Sequence, residues 1–168
     1  MLLYQITLKK KKENKKFNLA EALYRVFADP LVIDLDGDGF ELTSMKDGVY
    51  FDEDAKGLAE KTEWVSADDA LLAIDLNEDG MISNGAELFG DATVLPKGET
   101  AKSGFEALNQ YDTNQDGIID ENDEVYSKLR VWQDKNGDGI SQTEELYRLE
   151  DLEIESISLK KETQDGIT

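Results

Sequence analysis

The sequence predicts an α+β fold: a helix-rich single domain with short strands, built around repeated acidic loops in a non-standard arrangement. Three observations support this class, namely four Asp-rich motifs, helix-capping patterns between them, and short apolar or alternating runs. The 168 residues suffice for one core of moderate size. The formal net charge of −20 opposes compaction, so we expect the chain to be loose without bound cations and compact with them.

The composition excludes several kinds of function. Histidine and cysteine are absent, which removes histidine general bases, cysteine nucleophiles, zinc sites of the usual ligand set and disulfides. The acidic charge gives no electrostatic reason to bind nucleic acid or anionic lipid. No apolar run approaches 18 residues, so we expect no membrane span. Any chemistry must therefore use carboxylates, hydroxyls, lysines, backbone groups or a hard metal ion.

The charge divides the chain into a basic N-terminal flank and an acidic remainder. Residues 1–28 hold seven Lys/Arg and two Glu, a net charge of +5, whereas residues 29–168 have a net charge of −25. We therefore predict a flank over 1–29, one module over 30–160 and a tail over 161–168. The first residues do not have the pattern of a secretory signal, because their lysines follow the short apolar stretch instead of preceding it. If the protein is exported, we expect the signal elsewhere in a longer parent chain.

Helix signals separate the acidic loops. Asn18 and Glu21 form a capping box for an amphipathic helix over 18–28, which must end before Pro30 because proline disfavours helical geometry in the preceding residue. Further helices are predicted over 67–74 (capped by Ser66 with Asp69), 104–111 (capped by Ser103 with Glu106), 121–132 and 143–149. Short strands are predicted over 31–33, 40–42, 49–51 and 154–159.

Four segments match the EF-hand calcium loop, which places oxygen ligands at positions 1, 3, 5, 7 and 12 and glycine at position 6. Position 7 contributes its backbone carbonyl, and position 12 contributes a carboxylate. Four matches in one chain make a set of merely solvated turns improbable. The predicted ligands of loops one to four are, in order, Asp34, Asp36, Asp38 and Phe40; Asp75, Asn77, Asp79, Met81 and Glu87; Asp112, Asn114, Asp116, Ile118 and Asp123; and Asp134, Asn136, Asp138, Ile140 and Glu145.

The loops differ in the carboxylate that closes them. Loop four has Glu145 at position 12, whereas loop three has the shorter Asp123 there. In loop two Glu87 stands at position 13, which indicates a one-residue expansion. Loop one has methionine at position 12, and only Glu41 or Asp47 is near enough in sequence to close it. We predict up to four bound Ca²⁺ ions.

The spacing of the EF-hand-like loops differs from that of paired EF-hands. Loops three and four start 22 residues apart, which leaves only residues 124–133 between them. One helix would have to leave one loop and enter the next, whereas paired EF-hands need two separate helices there. We therefore expect calcium loops in an assembly unlike that of calmodulin.

The Asp29–Pro30 peptide bond precedes loop one and is itself reactive. The Asp29 carboxylate can attack its own backbone carbonyl to close a five-membered anhydride, while the Pro30 nitrogen leaves as a secondary amine. Correct positioning contributes on the order of 7–11 kcal/mol to such an intramolecular step. The anhydride would then react with water or with a lysine amine, from residues 9–16 or from another protein. The alternative is an ordinary turn, in which Asp-Pro is a common dipeptide.

The chain contains, in this order, the segments "DPLVIDLDGDGFEL", "LLAIDLNEDGMISNGAELFG", "GFEALNQYDTNQDGIIDENDEVYSKLRVWQDKNGDGISQTEEL" and "IESISL". Together they resemble the calcium-dependent self-processing module of Frp-type RTX proteins. The resemblance runs from Asp29 to about Leu159. It implies calcium-triggered cleavage in which Asp29 supplies the scissile carbonyl and the attacking carboxylate, and Pro30 becomes the new N-terminus. It also implies ligation of Asp29 to a lysine amine, secretion by a Gram-negative pathogen as part of a larger protein such as a toxin, and a monomer before cross-linking.

Calcium binding is expected to act as the switch, because closing loop one would fix the strand over 31–33 and the geometry at Asp29–Pro30. Extracellular modules of this type fill at about 10⁻⁴–10⁻³ M calcium. Two non-catalytic alternatives remain open: a calcium sensor or buffer, and an adhesion module held together by calcium. Trp64 and Trp132 are predicted to lie in the core rather than on a binding surface.

Overall fold

The computed structural model describes residues 30–159, together with the backbone of four short strands in the flanking segments. The strands are β1 Tyr4–Ile6, β2 Leu8–Lys10, β3 Ala22–Tyr24, β4 Val32–Ile33, β5 Val49–Phe51, β6 Glu60–Thr62, β7 Ala70–Ile74, β8 Ile118–Ile119, β9 Leu129–Trp132, β10 Leu146–Tyr147, β11 Ile154–Ser158 and β12 Glu162–Thr163. The helical elements of the described residues are α1 Gly104–Asn109 and the 3₁₀ helices Gly85–Glu87, Tyr126–Lys128, Thr143–Glu145 and Glu150–Leu152.

A four-stranded antiparallel sheet, here called the central sheet, runs in the order β10-β9-β7-β4. The inner strand β7 is buried along its whole length, because a core cluster covers each of its faces. Alternate side chains of β7 enter different core clusters: Leu72 packs with the first cluster and Leu71 with the second. The sheet therefore separates the apolar interior into two layers, as the two-residue period of a strand requires.

The two core clusters have different character. The first cluster is mainly aliphatic and includes Leu31 and α1 residues such as Phe105 and Leu108. The second contains three aromatic rings, Phe51, Trp64 and Trp132, whose centroids are 5.1 to 5.9 Å apart in tilted and edge-on arrangements. The tryptophans are 4% and 0% exposed, which confirms their predicted place in the core.

Smaller antiparallel sheets complete the described fold. They have the strand orders β2-β11-β8, β12-β1-β3 and β5-β6. Among the described residues, no helix is long and apolar enough to cross a membrane.

The prediction of a helix-rich domain is wrong, because strands and loops dominate and α1 is the only α-helix within the described residues. The predicted helix over 67–74 is strand β7, and that over 121–132 is a 3₁₀ turn followed by β9. The segment 143–149 is likewise a 3₁₀ turn followed by β10. Short apolar runs buried on both faces have no period that distinguishes a strand from a helix, and cross-strand pairing decided these cases.

Two further expectations near the N-terminal half also need correction. Ala22–Tyr24, inside the predicted helix over 18–28, is a strand, and the other residues of that segment lie outside the described residues. The predicted strand over 40–42 is reduced to an isolated bridge between Leu42 and Val65. Helix α1 is confirmed together with its cap, since the Ser103 side chain accepts a hydrogen bond from the Glu106 amide. Strands β4, β5 and β11 are confirmed as well.

Candidate metal centre

The four predicted loops share one backbone conformation. In each, Oδ2 of the position-1 aspartate accepts a hydrogen bond from the position-6 glycine amide, at 2.9, 2.7, 2.9 and 2.8 Å in chain order. These glycines have φ angles of +101°, +82°, +84° and +72°, in the left-handed region that glycine adopts without steric cost. The position-5 amide also donates to the position-3 side chain in every loop. The sequence motif therefore fixes one compact turn, four times.

Loops two, three and four are closed by a buried carboxylate in an equivalent place. Glu87, Asp123 and Glu145 are only 3–4% exposed. Each accepts a hydrogen bond from the amide at position 2 of its own loop, at 3.1, 2.9 and 3.0 Å respectively. Glu87 thus occupies the place of the other two although it stands one position later. The 3₁₀ helix Gly85–Glu87, capped by Asn84, accommodates the extra residue.

Loop four is the most deeply buried of the four. Asp134 is 0% exposed and accepts a hydrogen bond from Trp64 Nε1 at 2.7 Å, which ties the loop to the aromatic core cluster. Glu145 Oε2 is buried without a hydrogen-bond partner. An anionic oxygen in that position carries a large desolvation cost unless a cation compensates it. The donor set of carboxylate, amide and carbonyl oxygens fits Ca²⁺, a hard cation.

Loops two and four contact each other although loop three lies between them in sequence. The Ile82 amide donates to Ser141 Oγ at 2.6 Å, and each residue stands at position 8 of its loop. Loop three uses its position 8, Ile119, to pair with Ile157 of β11 instead. The loops are therefore held by sheet edges and by one another, without the two flanking helices of an EF-hand.

Loop one differs from the others, because the buried carboxylate nearest to it comes from a residue that the sequence motif did not reveal. Ile33 of β4 lies opposite Ala70 of β7, so the next opposing pair in this antiparallel register is Asp34 and Asp69. One oxygen each of Asp34, Asp36 and Asp69 lies within 4.8 Å of the others. Asp69 had been predicted only as part of a helix cap. Its signal would have been the strand register, which sequence spacing does not contain.

Three carboxyl groups at loop one have shifted pKa values. Burial raises the pKa of Asp69 to about 6, and the negative charges of Asp34, Asp68 and Asp36 act in the same direction. A side-chain hydrogen bond with Asp36 raises the pKa of Asp38, whereas the backbone amide of Asp38 lowers the pKa of Asp36. Without a cation, Asp69 and Asp38 therefore favour their protonated forms, whereas Asp36 favours its charged form.

A fifth loop, residues 52–57, has the same turn but a lysine at position 5; we call it the lysine loop. Asp52 accepts hydrogen bonds from the Gly57 amide at 2.8 Å and from the Lys56 amide at 3.0 Å, as position 1 does in loops two, three and four. Ala55 and Gly57 have φ angles of +56° and +88°, which match positions 4 and 6 elsewhere. The Lys56 ammonium lies 2.7 Å from Asp54 Oδ2. Lys56 kept this loop out of the sequence-based set.

The residues around the predicted scissile bond are only partly described. Asp29 lies outside the described residues, and Pro30 is half-buried. Leu31 is fully buried, its amide donates to the Phe89 carbonyl at 3.0 Å, and its carbonyl accepts from the Leu72 amide at 3.0 Å. The chain is therefore fixed immediately after Pro30, and loop one begins three residues beyond Leu31.

Comparisons with known proteins found a matching family and similar relatives. The family model of the SPM domain matches residues 31–168. The iron-regulated protein FrpA of Neisseria meningitidis serogroup C is 53% identical over 138 residues. That alignment covers 81% of this chain but 12% of FrpA, so the chain spans about an eighth of that relative. The expected relation to an Frp-type protein is confirmed.

Proposed function

The chain belongs to the SPM domain family, and from this premise we propose that it is a calcium-triggered self-processing module that cleaves its own Asp29–Pro30 bond. It acts once, on itself, and does not turn over as a protease. The observation that carries the proposal is the fixed segment between Pro30 and loop one. Leu31 is held through both of its backbone groups, and Asp34 begins the loop at the end of β4.

The bond is cleaved by a group within the same residue. The Asp29 carboxylate oxygen attacks the Asp29 backbone carbonyl carbon, the bond from that carbon to the Pro30 nitrogen breaks, and the nitrogen takes up a proton. Asp29 is left as a cyclic anhydride at the end of the upstream piece. Water opens it to a free C-terminal aspartate; a lysine amine opens it to an amide and releases one proton.

The position of Pro30 favours this reaction. Leu31 is buried against the aliphatic core cluster, so the chain is held in place directly after Pro30. A nucleophile and a carbonyl that are held near their reactive geometry gain on the order of 7–11 kcal/mol over freely moving groups. The fixed segment supplies one half of that restraint.

Calcium would supply the positive charge that lets the buried carboxylates of the four loops remain ionised and close together. Loop one follows β4, so its closure would hold the strand that begins two residues after Pro30. The residues that would hold the ions are the predicted ligands of loops one to four. Under low calcium the repulsion within the acidic chain opposes this state.

The setting of the reaction is also proposed. FrpA is named as an iron-regulated protein, and this chain corresponds to a small part of it. We place the chain within a longer secreted RTX protein, with lysines of the same or a neighbouring protein as acceptors. It is a monomer before cross-linking.

Intact-mass spectrometry of the purified full chain tests the proposal. Millimolar Ca²⁺ should produce two pieces whose masses match a cut after Asp29, and Asp29→Asn should remain whole. Asp29→Glu keeps the charge but would require a six-membered ring, so it should react more slowly. An added lysine derivative with a blocked α-amine should appear on the upstream piece as an amide.

Each result has a definite meaning. An uncut chain that binds calcium and folds would favour the second candidate function, a non-catalytic calcium-binding module, which the loop geometry alone also supports. A cut at any other bond would contradict the role of Asp29. Cleavage without capture of the amine would contradict the ligation step only.

A further inference from the structure

We infer that Asp69 is a calcium ligand and closes loop one from the neighbouring strand, in place of the missing carboxylate at position 12. The inference rests on the proposed function, because it completes one of the calcium sites assumed there. Its basis is a juxtaposition: Asp34 at the end of β4 and Asp69 just before β7 face each other across the central sheet.

The pairing is unfavourable without a cation. Two like charges directly opposite each other on antiparallel strands are destabilising, and both of these side chains are buried. One oxygen of Asp36 also lies within 4.8 Å of the pair. Three carboxylates at that separation form a site for a divalent cation with oxygen ligands.

Asp69 also has an unused oxygen. The residue is 1% exposed; Oδ2 accepts hydrogen bonds from the Glu41 amide at 2.8 Å and from Ser66 Oγ at 3.5 Å. Oδ1 is buried and has no hydrogen-bond partner. The same condition occurs at Glu145, whose Oε2 is buried without a partner at the closing position of loop four. A loop-one ion would satisfy Asp69 Oδ1 in the same way.

The two residues nearest in sequence are poorer candidates for this role. Glu41 is exposed, and it contributes its backbone amide to Asp69. Asp47 is exposed too, and its Oδ2 accepts a hydrogen bond from Ser44 Oγ at 3.0 Å within its own turn. The expectation that either of them closes loop one is therefore replaced by Asp69.

An ion held by Asp34 and Asp69 would connect β4 to β7 beyond their last paired residues. Strand β7 already holds the Leu31 carbonyl through the Leu72 amide. The two strands would then be joined both directly after Pro30 and at loop one. The filling of this site would thus act directly on the segment next to the scissile bond.

Native mass spectrometry of the full chain tests the inference by counting bound calcium ions. All variants are made on Asp29→Asn so that the chain stays intact. Asp69→Asn, which keeps an acceptor for the Glu41 amide, should lose one ion at calcium concentrations that saturate the parent, with that site weakened more than about tenfold. Asp68→Asn, one residue away and exposed, removes the same charge and should keep the full count.

Two comparisons identify the site that is lost. Asp34→Asn should lose the same single ion, and Asp34→Asn with Asp69→Asn should lose one ion, not two. A full count in Asp69→Asn, a loss of two ions in the double variant, or a loss on Glu41→Gln or Asp47→Asn instead would overturn the assignment.

If the Asp69 variants do not fold, NMR of the chain that keeps Asp69 tests the inference. In the Asp29→Asn chain, the side-chain carboxyl ¹³C resonance of Asp69 should move with the same calcium dependence as that of Asp34. An unmoved Asp69 resonance while Asp34 shifts would overturn the inference.

The ion count is independent of cleavage. If the unsubstituted chain binds calcium and is cut while Asp69→Asn keeps every ion, the inference alone is contradicted. If the unsubstituted chain binds calcium without being cut, the proposed self-processing alone is contradicted, and a chain that binds no calcium would contradict both.

Discussion

The lysine loop and loop four have the same turn but compensate their charge in different ways. In loop four, Asp134 is buried against Trp64 and the position-5 residue is Asp138, a third predicted ligand. In the lysine loop, the position-5 residue is Lys56, whose ammonium contacts Asp54 within an exposed pair. One loop carries its cation as a side chain, whereas the other presents only anionic and neutral oxygens.

This difference shows that the residues that form the turn are not the same as the residues that would bind a cation. The glycine at position 6 and the hydrogen bonds to the position-1 aspartate produce the turn in both cases. We propose that the position-5 residue and the buried closing carboxylate determine whether a loop needs an external cation.

Replacement of the position-1 aspartate should have the largest effect and should differ between the two loops. Asp134→Ala removes the acceptor of Trp64 Nε1 and of three loop amides in a fully buried site. We expect the free energy of unfolding in saturating calcium to fall by about 3–5 kcal/mol. Asp52→Ala removes the acceptor of two amides near the surface and should cost about 1 kcal/mol. Urea unfolding on Asp29→Asn measures both, and equal losses would contradict the comparison.

In the calcium-free chain, the contributions of loop one and of the lysine loop to stability should change with pH in opposite directions. Asp69 has a pKa of about 6 in the folded state against the usual 3.8 of an aspartate, so the folded state binds more protons between these values. Its contribution to stability should therefore fall as the pH rises from about 4 to about 6, by up to about 3 kcal/mol. The Lys56 side chain lowers the pKa of Asp54, so the Asp54 contribution should instead be lost as the pH falls below the usual aspartate range.

Unfolding experiments across this pH range check the sign, each on the parent and on one variant. The free energy of unfolding of the parent minus that of Asp69→Asn should fall as the pH rises. The free energy of unfolding of the parent minus that of Asp54→Asn should increase as the pH rises. Two differences of the same sign would mean that Lys56 does not replace a cation in the lysine loop.

Lys56→Asp should have the smallest effect on stability but should convert the lysine loop into a calcium loop. The variant would restore a carboxylate at position 5, and Glu63 already stands at position 12. We expect native mass spectrometry to find one more bound ion than in the parent. Lys97→Asp changes the charge equally at an exposed position outside all five loops, and it should leave the count unchanged. An unchanged count in Lys56→Asp would show that the turn and position 5 do not suffice.

The sequence predicted those parts of the molecule that local spacing controls. The four loops fold as the motif requires, because their hydrogen bonds join residues two to five positions apart. Helix α1 was likewise predictable from its own cap at Ser103. Glu87 was also predicted correctly, although it stands at position 13 of its loop, because it is the next acidic residue after position 12.

The features that the sequence did not reveal depend on pairing between distant segments. Strands β7 and β9 have apolar runs that a buried helix also shows, and only their mutual register, Leu72 opposite Val131, makes them strands. The role of Asp69 follows from the register of β4 with β7. The lysine loop keeps Asp52 and Gly57 of the motif but has Lys56 at position 5. It was therefore not predicted, because the motif requires an oxygen ligand at that position.

The central claim is that calcium, by closing loop one, triggers cleavage at Asp29–Pro30. The most direct measurement is the rate at which the piece beginning at Pro30 forms, followed by intact-mass spectrometry from excess chelator to millimolar calcium. We predict no product in chelator, a rate that rises with calcium, and a strongly reduced rate in Asp34→Asn at calcium concentrations that fill the other loops. Equal rates in chelator and in calcium, or an unaffected Asp34→Asn, would contradict the claim.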